Sequence, residues 1–313
     1  MAKLSKSNNF AGLALHGDSL RYIELSGEKG SLQVVRKEQT PLNHGVIVKD
    51  MVVDWGGVTS AMKSMKSVIG GAFRCPVVMG VPSRDVILRL VDYPRMQVND
   101  VRDALQLEFD KYFPYPYQDA AADIVEVDVP SNFDGDEKTV VLVATCKHSV
   151  MADMMKVASS VGLNLSAIEP MNVAFFRAVV GSEGEGGYFV VFVEPESTQI
   201  ILGYKDNGIL FRSSAVDLTS PEARDSDDGL MPILRDVQNT VIFSGNQYKG
   251  LAVENIILGG ILGKKSRLGE LLESTTSMPV KAPSIKDLWG GPADMTGSDG
   301  FEAAFGLAVR TLL

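Results

Sequence analysis

The feature that most constrains this chain is an order of short elements that it uses twice. The first run opens with three β-type stretches, Phe10–Leu15, Leu20–Leu25 and Leu32–Lys37, parted by turns at Gly17-Asp18 and Gly27–Gly30. A helix follows, with Val58, Met62, Met65 and Ile69 on one stripe. Pro76–Val81 comes next, a continuous apolar run of the kind that forms a buried strand. The second run opens with Tyr188–Val193, Gln199–Tyr204 and Ile209–Arg212, with turns at Pro195-Glu196 and Asp206-Asn207-Gly208. It continues with a helix over Ile233–Phe243 and a buried strand, Ile256–Leu258, that ends in Gly259-Gly260. One plan used twice implies an α/β protein of two related halves.

Between the halves lies an insertion, about Asp85 to Asn164. Its periodicities give strand Val86–Val91, helix Asp100–Tyr112, strand Asp123–Val129, a turn at Asn132–Asp136, strand Val140–Thr145 and helix Val150–Val161. That order implies a small α+β subdomain. Its first helix has Asn99 as the expected N-cap, an apolar stripe of Val101, Ala104, Leu105, Phe109 and Tyr112, and a stop at Pro114 and Pro116, which cannot donate the next helical hydrogen bond. Thr219–Gly229 and Lys281–Gly300 read as loose segments, with Trp289 of the latter in a packing role. Phe301–Leu312 is apolar enough to be a buried helix.

The totals exclude several functions. With 313 residues the chain can bury a large core, and a net charge of −9 argues against nucleic acid as the main partner. Two cysteines, Cys75 and Cys146, sit in apolar runs and give neither a disulfide framework nor metal spacing; three histidines, His16, His44 and His148, are scattered. Met1–Asn9 is mostly polar, without the apolar run of a signal peptide, and no stretch is long and apolar enough to span a bilayer. The expected place of work is the reducing cytoplasm. There is no Gly-x-Ser-x-Gly, Walker or His-Glu-x-x-His motif; Gly259–Lys265 imitates a P-loop at the wrong spacing. No catalytic residue is expected.

Four landmarks carry a resemblance. They are Arg89-Leu90-Val91-Asp92-Tyr93-Pro94-Arg95-Met96; Glu108 through Pro116, then Asp123; Ile168-Glu169-Pro170 with Ala174 and Arg177; and Ala304–Arg310. Together with Leu258-Gly259-Gly260 they resemble, over nearly the whole chain, the PilM family, the actin-like type IV pilus assembly proteins related to FtsA. The resemblance implies an actin-like ATPase fold of two RNase H-like β-β-β-α-β-α halves with a small inserted α+β subdomain. It divides the chain into 1–84 with 165–185 and 301–313, the insertion 85–164, and the second half 186–300. The departures fall at the nucleotide site. Actin-like ATPases place Asp, an apolar residue and Gly in each of two phosphate loops. In the first loop here Ala14 replaces the Asp and His16 the Gly; in the second, Phe192 and Glu194 do so, and Pro195 lacks an N–H. Any nucleotide would meet Gly17, Asp18, Ser19, Glu194, Ser197, Thr198, Gly259 and Gly260, with Asp18 and Glu194 as displaced metal ligands.

The resemblance therefore implies a cytoplasmic scaffold of a type IV pilus, or of a related type II secretion machine, with no cofactor and no resident metal. Its partner would be the cytoplasmic N-terminal tail of a PilN-like inner-membrane protein, lying in a groove between the core and the insertion. Contact with the motor ATPase and self-association are further expectations. Arg89, Tyr93, Phe113 and Tyr115 are the candidate groove residues, because aromatics and Arg make good interface anchors; Phe113 and Tyr115 equally suit locking the helix end. The alternatives are an ATP- and Mg²⁺-dependent actin-like switch with an unorthodox phosphate site, and an FtsA-like membrane-associated filament. The last fits least, since Phe301–Leu312 lacks a basic polar face.

Overall fold

The structure is a computed structural model, and it describes residues 9–130, 138–180, 186–262, 266–290 and 300–312. The turn expected at Asn132–Asp136, the end of the Gly259–Lys265 run and residues 291–299 of the second loose segment lie outside the described residues. The first half comprises β1 (Phe10–Leu15), β2 (Ser19–Ser26), β3 (Gln33–Pro41), a small hairpin of β4 (Ile47–Val48) and β5 (Met51–Val52), α1 (Trp55–Val68) and β6 (Val77–Val81). The insertion supplies β7 (Ile87–Pro94), α2 (Val98–Tyr112), β8 (Ala120–Glu126), β9 (Lys138–Lys147) and α3 (His148–Val161). The chain returns through β10 (Leu165–Pro170) and α4 (Met171–Val179). The second half has β11 (Gly187–Val193), β12 (Ser197–Tyr204), β13 (Asn207–Ala215), α5 (Pro221–Asp225), α6 (Asp227–Gln247), β14 (Val253–Gly260), α7 (Arg267–Thr276) and β15 (Val280–Lys281). Helices α8 (Ile285–Trp289) and α9 (Glu302–Val309) close the chain.

The two large sheets share one topology. Their orders are β3-β2-β1-β6-β10 and β13-β12-β11-β14-β15. In each, three antiparallel strands lead into parallel neighbours: β1 pairs β6 in parallel, and β11 pairs β14. The continuous apolar runs fall in the middle, where β1 and β11 are buried along their whole length. The insertion's own sheet is β7-β9-β8, with Val101, Leu105 and Phe109 of α2 packed on one face.

Three expectations are corrected. Helix α3 is not part of the insertion's core: Met154, Val157, Ala158 and Val161 belong to the core of the first half. Periodicity shows which side of a helix is apolar but not what that side meets. Helix α2 starts at Val98, capped by Gln97 without a side-chain hydrogen bond, so Asn99 lies inside it; half-buried Val98 packs on the insertion's core and draws the helix start forward. Thr219–Gly229 is not a loop: Ser220 accepts from the Ala223 N–H ahead of Pro221, and Ser226 accepts from the Gly229 N–H, which starts two consecutive helices. Trp289 packs as expected; it is buried, its indole N–H donates to the Ala178 carbonyl, and its ring meets Phe305 edge-on at 5.7 Å.

Helix α9 is buried from Glu302 to Val309, wedged against β1 and α4. Backbones approach so closely that a Cβ on Gly306 would collide with the Ala174 carbonyl, and one on Gly12 with the Ala304 carbonyl. Main chain cannot step aside as a flexible side chain can. Gly306→Ala is expected to lower stability by roughly 3 kcal/mol, read as a lower thermal midpoint; an unchanged midpoint would show that α9 has room to shift.

Candidate functional site

The loops after β1 and β11 face each other across the cleft between the halves. His16 and Glu194, 178 residues apart in sequence, meet there with Nδ1 2.8 Å from Oε2, and both side chains are buried. Arg21 lies alongside: its Nη2 donates to Asp18 at 3.1 Å, its Nη1 donates to the Gly300 carbonyl at 2.6 Å, and Nη1 is 3.9 Å from the other Glu194 oxygen. Burial opposes the Asp18 charge, but Arg21, the Ser19 hydroxyl and His16 outweigh it and hold that carboxyl below its ordinary range.

A second crossing comes from the β4–β5 hairpin. Its tip, Lys49-Asp50, holds two non-glycine residues at φ 48° and 60°, a left-handed turn of the type that matches strand twist. The turn pushes Asp50 into the cleft, where Oδ2 accepts from the Ser83 N–H at 3.0 Å and from Gln199 Nε2 at 3.2 Å. The Lys49 N–H donates to Glu196 Oε2 at 3.2 Å. Burial, helped by the nearby Glu194 charge and opposed by the Ser83 hydrogen bond, pushes the Asp50 carboxyl up to about 7.

The donor set does not suit a triphosphate with its metal. Phosphate loops offer free backbone N–H groups. Here the His16 and Ser19 N–H groups close their own turn on each other's carbonyls, and the Glu194 N–H donates to the Ser197 carbonyl. Asp18 and Glu194 each already face a cation or imidazole, and Glu196 faces Lys49. Ser197 and Thr198 are buried at the start of β12. Gly259 and Gly260 have a packing reason: a Cβ on Gly259 would press on the Phe175 ring, which stacks on Phe192 at 3.6 Å, and one on Gly260, at φ +86°, would strike the Val193 carbonyl. Phe192, at the expected Asp position, thus fills the space with a ring. Among the described residues, no group of three or more His, Cys, Asp or Glu is placed to hold a metal ion. Burial raises the pKa of both cysteine thiols, Cys146 to about 11, so neither is a ready nucleophile.

A different feature joins the insertion to the core. A groove of about 310 Å³ runs between β8, the end of β10 and the start of α4. Five consecutive residues of β8, Ala121–Val125, line it, so the strand offers its backbone edge as well as one face. Strand β8 ends the β7-β9-β8 sheet, so its outer side pairs with no strand among the described residues. Leu88, Ala144, Ile168 and Val173 make the apolar walls. Glu169, clamped by both Arg177 Nη atoms, and Arg310 mark one end.

None of the four expected groove residues lines it. Tyr93 and Phe113 sit in the insertion's core, Phe113 with its ring centroid 4.5 Å from Phe109. Half-buried Tyr115 donates to Thr145 Oγ1 at 3.4 Å. Exposed Arg89 donates to the Tyr112 carbonyl at 2.9 Å and lines a separate cleft with Phe211 and Phe243 of the second half. The aromatic-proline knot locks the end of α2. Sequence reasoning did not point to Asp50, Gln199 or the role of His16. One signal lies in the sequence: His16 and Glu194 replace the glycines of both loops, and their chemistries are complementary.

The raised carboxyl of Asp50 has a testable sign. A group whose pKa rises on folding favours the folded state below its ordinary value, near 3.8, and loses that contribution as pH climbs through about 7. Asp50→Asn removes the titration. Its stability relative to the parent is expected to improve by roughly 2–4 kcal/mol between pH 4 and pH 8, measured by urea unfolding at each pH; parallel profiles would mean that Asp50 is not a buried acid.

Comparison with known proteins places this geometry. The family model described as type IV pilus assembly protein PilM matches residues 12–179, more than half of the chain. Among solved structures, a PilM–PilN type IV pilus biogenesis complex aligns at a TM-score of 0.79 and 20% identity, covering 98% of this chain and 99% of that one. The cytoplasmic domain of EpsL, an inner-membrane component of the Vibrio cholerae type II secretion system, aligns at 0.50 and 12% identity, covering 80% and 82%. A Bacteroides thetaiotaomicron protein with an actin-like ATPase fold aligns at 0.50 and 11%, covering 90% and 93%. At these identities the structural matches establish the fold, which is actin-like; the family match over the first half and the insertion goes further, and the chain belongs to the PilM family of type IV pilus assembly proteins.

Proposed function

We propose that this chain is a scaffold of the type IV pilus assembly machinery and holds an extended cytoplasmic segment of a PilN-like membrane protein in the groove beside β8. The observation that carries the reading is the unpaired edge of β8, lined up over Ala121–Val125 against apolar walls from β10 and α4. An extended peptide added to such an edge gains main-chain hydrogen bonds, while alternate side chains enter the pockets. The small residues Ala121, Ala122 and Ala144 leave room for larger side chains from the partner. The structurally similar PilM–PilN complex supports this choice of partner. No helix of the described residues is long and apolar enough to cross a membrane; a membrane-anchored partner would supply attachment to the cytoplasmic face of the inner membrane. On this reading the chain works by binding, and hydrolysis of nucleotide is not part of its role.

The test uses a synthetic peptide copying the N-terminal tail of the PilN-like protein, titrated by fluorescence anisotropy. Val125 is 56% exposed at the groove, and Leu107 is 88% exposed on α2, across the insertion's sheet from it. Val125→Arg is expected to weaken binding at least about tenfold, or 1.4 kcal/mol, with Leu107→Arg unchanged. Equal affinity for both variants and the parent would move the partner off the groove.

A further inference from the structure

We propose that the cleft between the two halves is held shut by its own side chains, with the His16–Glu194 bridge and the Asp50 hairpin standing where a nucleotide would otherwise join the halves, so that their relative position is independent of nucleotide. Three crossings converge within this one cleft. His16 Nδ1 meets Glu194 Oε2 at 2.8 Å, the Lys49 N–H meets Glu196 Oε2 at 3.2 Å, and Gln199 Nε2 meets Asp50 Oδ2 at 3.2 Å. Each joins a residue of the first half to the loop after β11 or to β12.

In an actin-like fold the two phosphate loops face each other, and a bound phosphate chain with its cation satisfies both. Here the same two positions carry a base and an acid. The imidazole Nδ1–H donates to one carboxylate oxygen, and Arg21, 4% exposed and tied to Asp18 and the Gly300 carbonyl, stands 3.9 Å from the other, which makes no hydrogen bond among the described residues. The acid lies between imidazole and guanidinium and its charge already bears on Asp50, so a second anion in the same space would add repulsion to this cluster. Removing one member of a buried pair leaves the other unpaired in low dielectric, a strongly destabilising change. The clasp therefore resists opening.

The hairpin adds a mechanical element. Lys49 and Asp50 adopt positive φ without glycine, a conformation that surrounding contacts must hold in place. The Arg84 guanidinium does so from below, donating to the Lys49 carbonyl at 3.3 Å, while Ser83 secures Asp50. The clasp is separate from the groove beside β8, so it can fail without touching the partner reading.

The experiment measures the distance between the halves. Spin labels on Val68→Cys in α1 and Ile242→Cys in α6, both more than 60% exposed, give a distance distribution by pulsed electron resonance. The full chain is measured alone and with MgATP at about 1 mM, at which a site with a Kd weaker than about 1 mM is less than half filled. The proposal expects an unchanged distribution in the otherwise unaltered chain, and one at least twice as broad in Glu194→Gln and in His16→Asn. A shift or narrowing on MgATP overturns it, as does an unaltered distribution in both variants when circular dichroism shows them folded. If a variant does not fold, the MgATP arm on the parent decides alone.

Discussion

A buried carboxylate must be answered by a cation or by hydrogen bonds, and the junction of the two halves turns on how Glu194 meets that demand. The loop that bears it ends β11, a strand buried along its length, so the acid cannot turn out to solvent without dragging apolar residues with it. His16 at the end of β1 meets one of its oxygens with a hydrogen bond from the other half, and Arg21 on β2 offers the other only its charge, at 3.9 Å. The pseudo-repeat places the two loops opposite each other, and the chemistry of the pair then sets how close the halves come. Where an ATPase would leave polar backbone exposed to a ligand, three of these loops' N–H groups, those of His16, Ser19 and Glu194, close their own turns.

The sheets and the family were legible because both rest on local pattern. β1, β6, β11 and β14 announce themselves as apolar runs, and the proline-bounded stretch from Arg89 to Asp123 is unusual enough to resemble one family. Contacts between distant segments were not legible. Nothing in the stripe of Met154, Val157 and Val161 says that it packs toward α1 rather than over the insertion's own sheet. Phe113 and Tyr115 have the composition of interface anchors, yet Pro114 and Pro116 turn Phe113 inward against Phe109, which leaves it no surface to offer. Asp50 is invisible for another reason: its burial depends on a left-handed turn that its own sequence, Lys-Asp without glycine, does not advertise. Polar composition also misled at Thr219–Gly229, where serines that look like loop residues serve as caps.

An open sheet edge carries the hazard of indiscriminate strand pairing, and β8 shows how that hazard is contained. It carries exposed Asp123 and Glu126, and Asp123 is tied to Arg102 at 3.1 Å. Its exposed large apolar side chain is Val125, next to the last residue of the strand. A second strand of arbitrary sequence would have to place apolar side chains against those carboxylates. Selectivity at such an edge thus comes as much from which segments it turns away as from which it accepts.

Helix α9 has a consequence for how the protein is made. Residues 303–309 fill the core of the first half, between β1 and α4, yet they lie some three hundred residues downstream of β1. On the ribosome the N-terminal lobe must wait, incomplete, with an apolar trench where α9 will sit. The second lobe's core draws mainly on residues 189–280 and has no such debt to a later segment. It is therefore the part able to mature first during synthesis, and α9 acts as the closing stitch that turns an open N-terminal lobe into a finished one.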